Sequence, residues 1–183
     1  MSASALRSNG FVDFTRLQEF STRVLSDFSA ALTALACSVG DALGLFRLLA
    51  DLGPVSTEVF ARRTGFDERH MREWLQALTA AGYLRYEPVT QTFWLPAEHA
   101  ELLVDEGSPS CLAGGFQLLL GLVKPLDQLV ESIRQRTGLP QSAYDDDLRD
   151  GMERMSGPWF DSFLVTYWLH KVFAKLIASG VRV

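Results

Sequence analysis

The 183-residue chain is 48% hydrophobic and 21% charged, and its net charge is −5. This composition is typical of one soluble, core-forming domain with an extension, and it excludes a mainly disordered chain. The acidic balance does not suit nonspecific DNA binding, which depends on Lys and Arg neutralising phosphates.

The chain has two cysteines, Cys37 and Cys111, and no CxxC pair. A disulfide framework and a thiolate zinc site are therefore excluded, and we expect two buried thiols in a reducing cytoplasm. The longest uncharged stretch, residues 107–123, is shorter than the roughly 20 apolar residues of a membrane span. The first 20 residues lack the continuous apolar run of a signal peptide. We therefore expect a cytoplasmic protein with no membrane partner.

The first half of the chain has the apolar spacing of helices. Residues 1–10 are predicted to be frayed, and from Phe11 to Phe28 apolar positions recur every three or four residues. Helical spacing then continues from residue 30 to Leu52, where Gly53-Pro54 ends it. A capping box at Thr15 and Gln18 is predicted for the first helix. Gly40 and Gly44, four residues apart, predict either close helix packing or mere tolerance of glycine.

Residues 56–95 have the element order of a winged helix-turn-helix. Ser56 and Asp67 are suitable caps for helices over residues 57–64 and 68–81, and Gly82 ends the second. The period then changes, and residues 83–86 and 92–95 are predicted to form a β-hairpin with its tip at residues 88–91. The fold class is thus mainly α: a winged helix-turn-helix with a short hairpin plus a helical extension.

The extension after Pro96 is predicted to be helical. The predicted helices cover residues 97–104, 108–123, 125–136, 145–155 and 158–179. The helix over 108–123 is apolar on nearly all sides and is expected to be buried. Residues 181–183 have the composition of the start of a strand.

The candidate DNA-reading surface has no net charge. Residues 56–87 contain five arginines and five carboxylates, and the wing between Glu87 and Leu95 has neither Lys nor Arg. A helix that enters the major groove normally lies within a basic patch. A structural role is therefore favoured over DNA binding, and no nucleic-acid partner is predicted.

Motifs for metals and nucleotides are weak or absent. Asp146, Asp147 and Asp150 spell DDxxD, which is either a magnesium diphosphate motif or an acid-rich helix start; we favour the latter, and predict no metal site. The three histidines, His70, His99 and His170, are scattered along the sequence and do not form a metal-binding pattern. His170 is the one histidine we single out as a candidate functional residue, because it lies on the last predicted helix, which is rich in aromatic residues. No two glycines are separated by a single residue, so neither a Rossmann turn nor a P-loop is present.

Aromatic residues repeat along the last predicted helix. Trp159, Phe163 and Tyr167 recur every four residues, and we predict them as candidate substrate contacts. Phe160, Leu164 and Trp168 share the adjacent face. One face is a candidate wall for an apolar or aromatic methyl acceptor, with the Tyr167 hydroxyl orienting it. The alternative is that both faces are core.

Three segments carry a resemblance to a known family. They are GLFRLLADLGPVSTEVFARRTGFDERHMREWLQALTAAGYLRY (residues 44–86), FWLPAEHAELLVDEGSPSCLAGGFQLL and YDDDLRDGMERMSGPWFDSFLVTYWL. Over residues 30–183 the chain resembles the N-terminal winged-helix region of bacterial S-adenosylmethionine-dependent methyltransferases. Related small-molecule O-methyltransferases use a similar region for dimerisation and for covering the substrate.

The resemblance implies that a separate catalytic domain, and not this chain, binds the cofactor. In that family a segment like residues 178–183 leads into the glycine-rich loop that binds the cofactor, so we expect the catalytic domain to be missing here. No catalytic or cofactor-binding residue is carried over, and S-adenosylmethionine is implied only for the parent enzyme. We therefore expect a chain that is inactive alone and contacts a small-molecule acceptor only with the missing domain. The apolar faces over residues 11–28 and 30–52 are more than one small winged helix can cover, so we also predict a homodimer.

The predicted division is an N-terminal dimerisation arm (1–28), a winged-helix domain (29–104) and a helical extension (105–183). Two alternatives to the methyltransferase module stay open. One is a free-standing winged-helix transcriptional regulator, and the other is an interaction module with neither role.

Overall fold

The computed structural model describes residues 12–178. The predicted fold class is confirmed: the described part is mainly α-helical, with one two-stranded antiparallel hairpin. The elements are α1 (Phe14–Ala42), α2 (Leu45–Leu52), α3 (Thr57–Thr64), α4 (Glu68–Ala80), β1 (Arg85–Glu87), β2 (Thr92–Trp94), α5 (Ala97–Leu103), α6 (Gly114–Val123), α7 (Leu126–Gln135), α8 (Asp146–Phe163) and α9 (His170–Ala178). The predictions for residues 1–10 and 181–183 lie outside the described residues.

The N-terminal helix differs from its prediction at both ends. Asp13, and not a Thr15–Gln18 box, caps α1, because its carboxylate accepts from the backbone N–H groups of Thr15 and Arg16. The helix crosses residues 28 and 29 without interruption and ends at Ala42. Gly44 then adopts a φ of +66°, which turns the chain into α2. The prediction of a continuous helix to Leu52 was therefore wrong at Gly44. A residue with a side chain would not easily adopt the positive φ of this glycine.

The two glycines predicted to pack closely have different roles. A Cβ on Gly40 would lie 2.4 Å from Cζ2 of Trp74, so Gly40 allows α4 to approach α1 closely. The indole Nε1 of Trp74 donates a 2.9 Å hydrogen bond to the carbonyl of Ala36 across the same contact. A Cβ on Gly44 would have no neighbour within 4 Å, so the packing prediction was wrong there.

The winged helix forms around one hydrophobic core. Ser56 and Asp67 cap α3 and α4 as predicted, and Gly82 follows α4 with a φ of +83°. In the wing, Tyr86 pairs with Phe93, and Val55 bridges to the other edge of Phe93. The buried core residues lie on helices α1 to α4 and in or beside the hairpin: Cys37, Leu45, Phe46, Leu49, Phe60, Met71, Trp74, Leu75, Leu78, Leu84 and Phe93.

The helical extension differs from its prediction in two places. Residues 108–113 are not helical, because α6 begins only at Gly114, and its end is exposed at Leu122 and Val123. The predicted helices over 145–155 and 158–179 are joined, since Pro158 lies inside α8. A π-helical segment, Leu164–Leu169, then links α8 to α9.

Glycines bring α6 and α8 into backbone contact. A Cβ on Gly121 would lie 2.4 Å from the amide nitrogen of Leu148, and one on Gly151 would lie 2.3 Å from that of Leu118. Gly114 likewise faces the backbone of α8. Of this pair, α6 also packs on α1 and so connects the extension to the winged helix.

Candidate functional site

A long exposed apolar surface lies on α1. Its members share one side of the helix and are exposed: Phe14, Leu17, Phe20, Leu25, Phe28, Leu32, Leu35 and Val39. Phe20 and Phe28 are each 66% exposed. We call this set the α1 face. An apolar surface of this length is unusual on a monomer and marks a contact surface.

The same helix is long and apolar enough, by length and composition, to cross a membrane, with a mean hydropathy of 1.2 over its best 18 residues. Its C-terminal part, however, belongs to the protein core: Cys37, Ser38 and Gly40 are buried. The Ser38 hydroxyl donates to the carbonyls of Ala34 and Phe116, which ties α1 to α6. These contacts anchor the C-terminal part of α1 in the folded domain, whereas residues 14–32 are almost entirely exposed.

A second apolar surface lies where α8 meets the π-helical segment. The ring of Trp159 has its centroid 5.5 Å from that of Phe163 and 5.3 Å from that of Trp168, and Phe160 is 5.2 Å from Trp159. These four rings, which we call the aromatic cluster, remain between 38% and 44% exposed. They are neither a closed core nor separate side chains.

The structure brings two of the three predicted substrate contacts together. Trp159 and Phe163 pack ring against ring, whereas the Tyr167 hydroxyl accepts a 2.8 Å hydrogen bond from Nζ of Lys171. The Lys171 ammonium also lies 4.0 Å above the Tyr167 ring. The π-helical segment adds about one residue per turn, so positions beyond Phe163 leave the four-residue register that the sequence suggested. Trp168 takes the place beside Trp159 instead.

An ion-pair network that sequence reasoning missed anchors the base of the aromatic cluster. Arg154 on α8 pairs with Asp41 on α1 through two nitrogen–oxygen contacts of 3.0 Å, and with Glu106 at 2.7 Å. It also donates to Oε1 of Gln117 on α6 at 2.8 Å. These partners raise the pKa of Arg154 above its ordinary value, with the Asp41 hydrogen bond as the largest cause. Four segments therefore meet at one guanidinium.

The acidic motif at the start of α8 is engaged in ordinary helix contacts. Asp145 caps the helix by accepting from the amide of Asp147, and Lys124 bridges both carboxylates. The hydrogen bond from Lys124 lowers the pKa of Asp147, and one from Gln117 adds to the effect. Within residues 12–178, no group of His, Cys, Asp and Glu is arranged to hold a metal.

Arginines on the candidate DNA-reading helices are paired on their own helices. Arg62 pairs with Glu58 on α3, and Arg69 pairs with Glu73 on α4 at 2.9 Å. Arg72 likewise pairs with Glu68. Three of the five arginines of this region are thus paired with a glutamate on the same helix.

Neither cysteine has the environment of a reactive thiol. Cys37 and Cys111 are buried and unbonded to each other. Burial raises the pKa of the Cys37 thiol to about 11, although a hydrogen bond with Tyr83 acts in the opposite direction. A thiol with that pKa is protonated at neutral pH and is a poor nucleophile.

Comparison with known proteins identifies the domain. Residues 30–105 match the Rv2258c-like winged helix-turn-helix domain family, a range that begins inside α1 and ends after α5. The match agrees with the winged helix that the structure shows over these residues. No curated protein matches the chain significantly.

Solved structures share the fold of the winged helix and its extension. The mitomycin 7-O-methyltransferase MmcR is 24% identical with a TM-score of 0.59, and covers 80% of this chain. RosA, the N,N-8-amino-8-demethyl-D-riboflavin dimethyltransferase of Streptomyces davawensis, is 23% identical with a TM-score of 0.55 over 86% of this chain. CalO1, a methyltransferase in calicheamicin biosynthesis solved with SAH bound, is 18% identical with a TM-score of 0.56 over 81%.

The present chain spans about half the length of these solved proteins. It covers 46% of MmcR, 49% of RosA and 46% of CalO1. At these identities the comparison establishes the shared fold. The predicted resemblance to methyltransferases is thereby confirmed at the level of fold and domain.

Proposed function

We propose that the chain is the dimerisation and substrate-covering module of an S-adenosylmethionine-dependent methyltransferase. The observation that carries the proposal is the pair of exposed apolar surfaces, the α1 face and the aromatic cluster, on a fold shared with methyltransferases. A winged helix that stood alone would leave both surfaces in water at a cost in solubility.

The α1 face suits a second copy of the chain. A two-fold axis places the same surface of each copy against the other, so a single apolar stripe is enough to make a closed homodimer. The ring-bearing residues Phe14, Phe20 and Phe28 are spaced along the first half of α1 and supply the large apolar anchors of such an interface.

The aromatic cluster suits a flat, apolar methyl acceptor. Ligand pockets are mostly hydrophobic with a few polar groups, and Trp159 and Phe163 offer ring faces while the Tyr167 hydroxyl and Lys171 offer polar atoms nearby. The catalytic domain of the parent enzyme supplies S-adenosylmethionine, as the bound SAH of CalO1 suggests, and this chain alone does not bind the cofactor. Two free buried thiols agree with a reducing, cytoplasmic location.

The alternative of a DNA-binding regulator has less support. Its reading helix would present arginines already paired with glutamates, such as Arg69 with Glu73 and Arg72 with Glu68, at a surface that must attract phosphates. The winged helix is then a scaffold, as folds commonly are when function lies elsewhere.

Steady-state kinetics of the methyltransferase that contains this segment tests the covering role. Trp159→Ala is expected to raise the KM for the acceptor roughly tenfold while leaving the KM for S-adenosylmethionine unchanged, because only the acceptor wall is altered. Tyr86→Ala on the wing, which removes another half-exposed aromatic ring, is the matched control and leaves both values unchanged.

Two results would contradict the covering role. One is an unchanged acceptor KM in a folded Trp159→Ala enzyme. The other is loss of the folded state, since truncation of a core aromatic residue costs about 3–5 kcal/mol. A circular dichroism melt of each variant separates the second result from a kinetic effect.

A further inference from the structure

A small cavity lies apart from both the α1 face and the aromatic cluster. It is enclosed by the turn after α4, by α5 and by the start of α6, and has a volume of about 280 Å³. Leu102, Leu112 and Phe116 form apolar walls, Tyr83 and His99 contribute polar side chains, and Ala81, Gly82 and Leu103 complete the lining. The apolar lining with few polar groups is the composition of a small-molecule site.

The proton on His99 is fixed by its partner. Nδ1 of His99 lies 2.8 Å from the backbone carbonyl oxygen of Tyr83. A carbonyl oxygen only accepts hydrogen bonds, so Nδ1 is the protonated nitrogen and donates. In the neutral ring, Nε2 is then an acceptor with a free lone pair. The hydrogen bond also holds the ring in one orientation beside the cavity.

The remaining nitrogen is open to a ligand. Within residues 12–178, no hydrogen bond engages Nε2 of His99, and no buried side-chain nitrogen or oxygen lacks a partner. Nε2 is therefore reachable from outside while the ring itself is half-buried. An acceptor at the edge of an apolar cavity selects molecules that carry a single donor on an apolar body.

The other polar side chain of the lining is already engaged. Burial raises the pKa of the Tyr83 hydroxyl, and contact with Cys37 adds to the effect. Tyr83 therefore stays neutral, with its hydroxyl near the buried Cys37 thiol. His99 is left as the polar contact that a molecule in the cavity would meet.

We propose that this cavity binds a small hydroxylated aromatic compound, whose ring lies between Leu112 and Phe116 and whose hydroxyl donates to Nε2 of His99. A one-ring phenol matches both the size of the space and the single acceptor. The site is distinct from the acceptor wall at Trp159, so it is a second ligand site on the same chain.

The test compares phenol with toluene, which has the same ring and a methyl group in place of the hydroxyl. Ligand-observed NMR titrations of the 183-residue chain are expected to give saturable binding of phenol and about fivefold weaker binding of toluene. The ¹⁵N resonance of Nε2 in His99 shifts with phenol and stays fixed with toluene. Equal affinities, or no binding of phenol, would overturn the proposal.

Two variants separate the acceptor from the cavity. His99→Asn keeps an N–H donor for the Tyr83 carbonyl and removes Nε2, so phenol and toluene should bind equally well. Leu112→Trp fills the mouth of the cavity and should abolish binding of both, whereas Val89→Trp at the exposed wing tip leaves binding unchanged. Phenol binding that survives Leu112→Trp would place the ligand elsewhere and contradict the proposal.

Light scattering during the phenol titration addresses a different occupant. If a second copy of the chain filled the cavity, phenol would compete with it and lower the measured mass, which would overturn the small-molecule assignment. The proposed site predicts no change in mass. If the His99→Asn chain does not fold, the ¹⁵N shift in the parent chain and the binding measured for Leu112→Trp still test the proposal.

Discussion

The guanidinium of Arg154 meets both carboxylate oxygens of Asp41 at 3.0 Å, in a two-nitrogen pair that joins α8 to α1. The side chains are 29% and 12% exposed, so the pair is shielded from most of the solvent. Bidentate pairs of this kind are stronger and more directional than a single contact. The pair therefore sets how the extension carrying the aromatic cluster sits on the N-terminal helix.

Removing this pair should destabilise the chain. Arg154→Met leaves the largely buried carboxylate of Asp41 without this partner, and the free energy of unfolding is expected to fall by about 2 kcal/mol. Urea unfolding followed by circular dichroism measures the change. Arg149→Met, which breaks an exposed pair with Asp146 on the same helix, is the control and should change stability by less than about 0.5 kcal/mol. Equal losses of stability in the two variants would contradict the stabilising role of the Arg154–Asp41 pair.

Close packing of α6 on α8 should not tolerate a methyl group. In Gly151→Ala the added Cβ would lie 2.3 Å from the amide nitrogen of Leu118, so the helices must separate, at a cost of about 2 kcal/mol. Gly157→Ala on the same helix meets nothing within 4 Å and should be neutral or stabilising by up to about 1 kcal/mol. Thermal melts of both variants measure the contrast. A Gly151→Ala chain as stable as the parent would rule out the close approach.

The titration of Asp147 should report its contact with Lys124. The pKa of this carboxyl lies below its ordinary value of 3.8, first because of the Lys124 hydrogen bond. A carboxylate with a lowered pKa stabilises the folded chain fully above the unfolded pKa, and this contribution is lost as the pH falls through the folded pKa. Lys124→Met should raise the pKa of Asp147 toward 3.8 in a ¹³C NMR titration. Arg134→Met on α7 should leave it unchanged, and an unmoved Asp147 in Lys124→Met would contradict the assignment.

Duplex DNA should not bind at physiological salt. Arg62, Arg69 and Arg72 are paired with glutamates on their own helices, and the segment between Glu87 and Leu95 adds no basic side chain. A gel-shift experiment at several micromolar protein is expected to show free duplex only. A stable complex that weakens steeply with salt would favour the regulator instead.

Local signals made much of the fold predictable. Ser56, Asp67 and Gly82 mark the ends of α3 and α4 through capping and a positive φ, which depend on neighbouring residues alone. The wing was predictable because its period changes from helical to alternating. Gly44 was misassigned because a glycine inside a helical pattern is either tolerated or a break, and spacing does not distinguish the two.

The candidate surfaces depend on long-range contacts that spacing does not encode. Arg154 and Asp41 are 113 residues apart, and no local sequence pattern predicts that they form a pair. The π-helical segment after Phe163 replaces Tyr167 by Trp168 beside Trp159, although four-residue spacing predicted the reverse. In the sequence, His99 was only one of three scattered histidines. The structure shows that its hydrogen bond to Tyr83 holds the ring beside a cavity.

Self-association through the α1 face is the central claim, and light scattering after gel filtration tests it most directly. The intact chain is expected to have twice its monomer mass of 20.3 kDa. The double variant Phe20→Glu/Phe28→Glu, which places two charges in the apolar stripe, should have the monomer mass. Val89→Glu at the exposed wing tip is the control and should stay dimeric. A monodisperse monomer of 20.3 kDa for the intact chain would contradict the account.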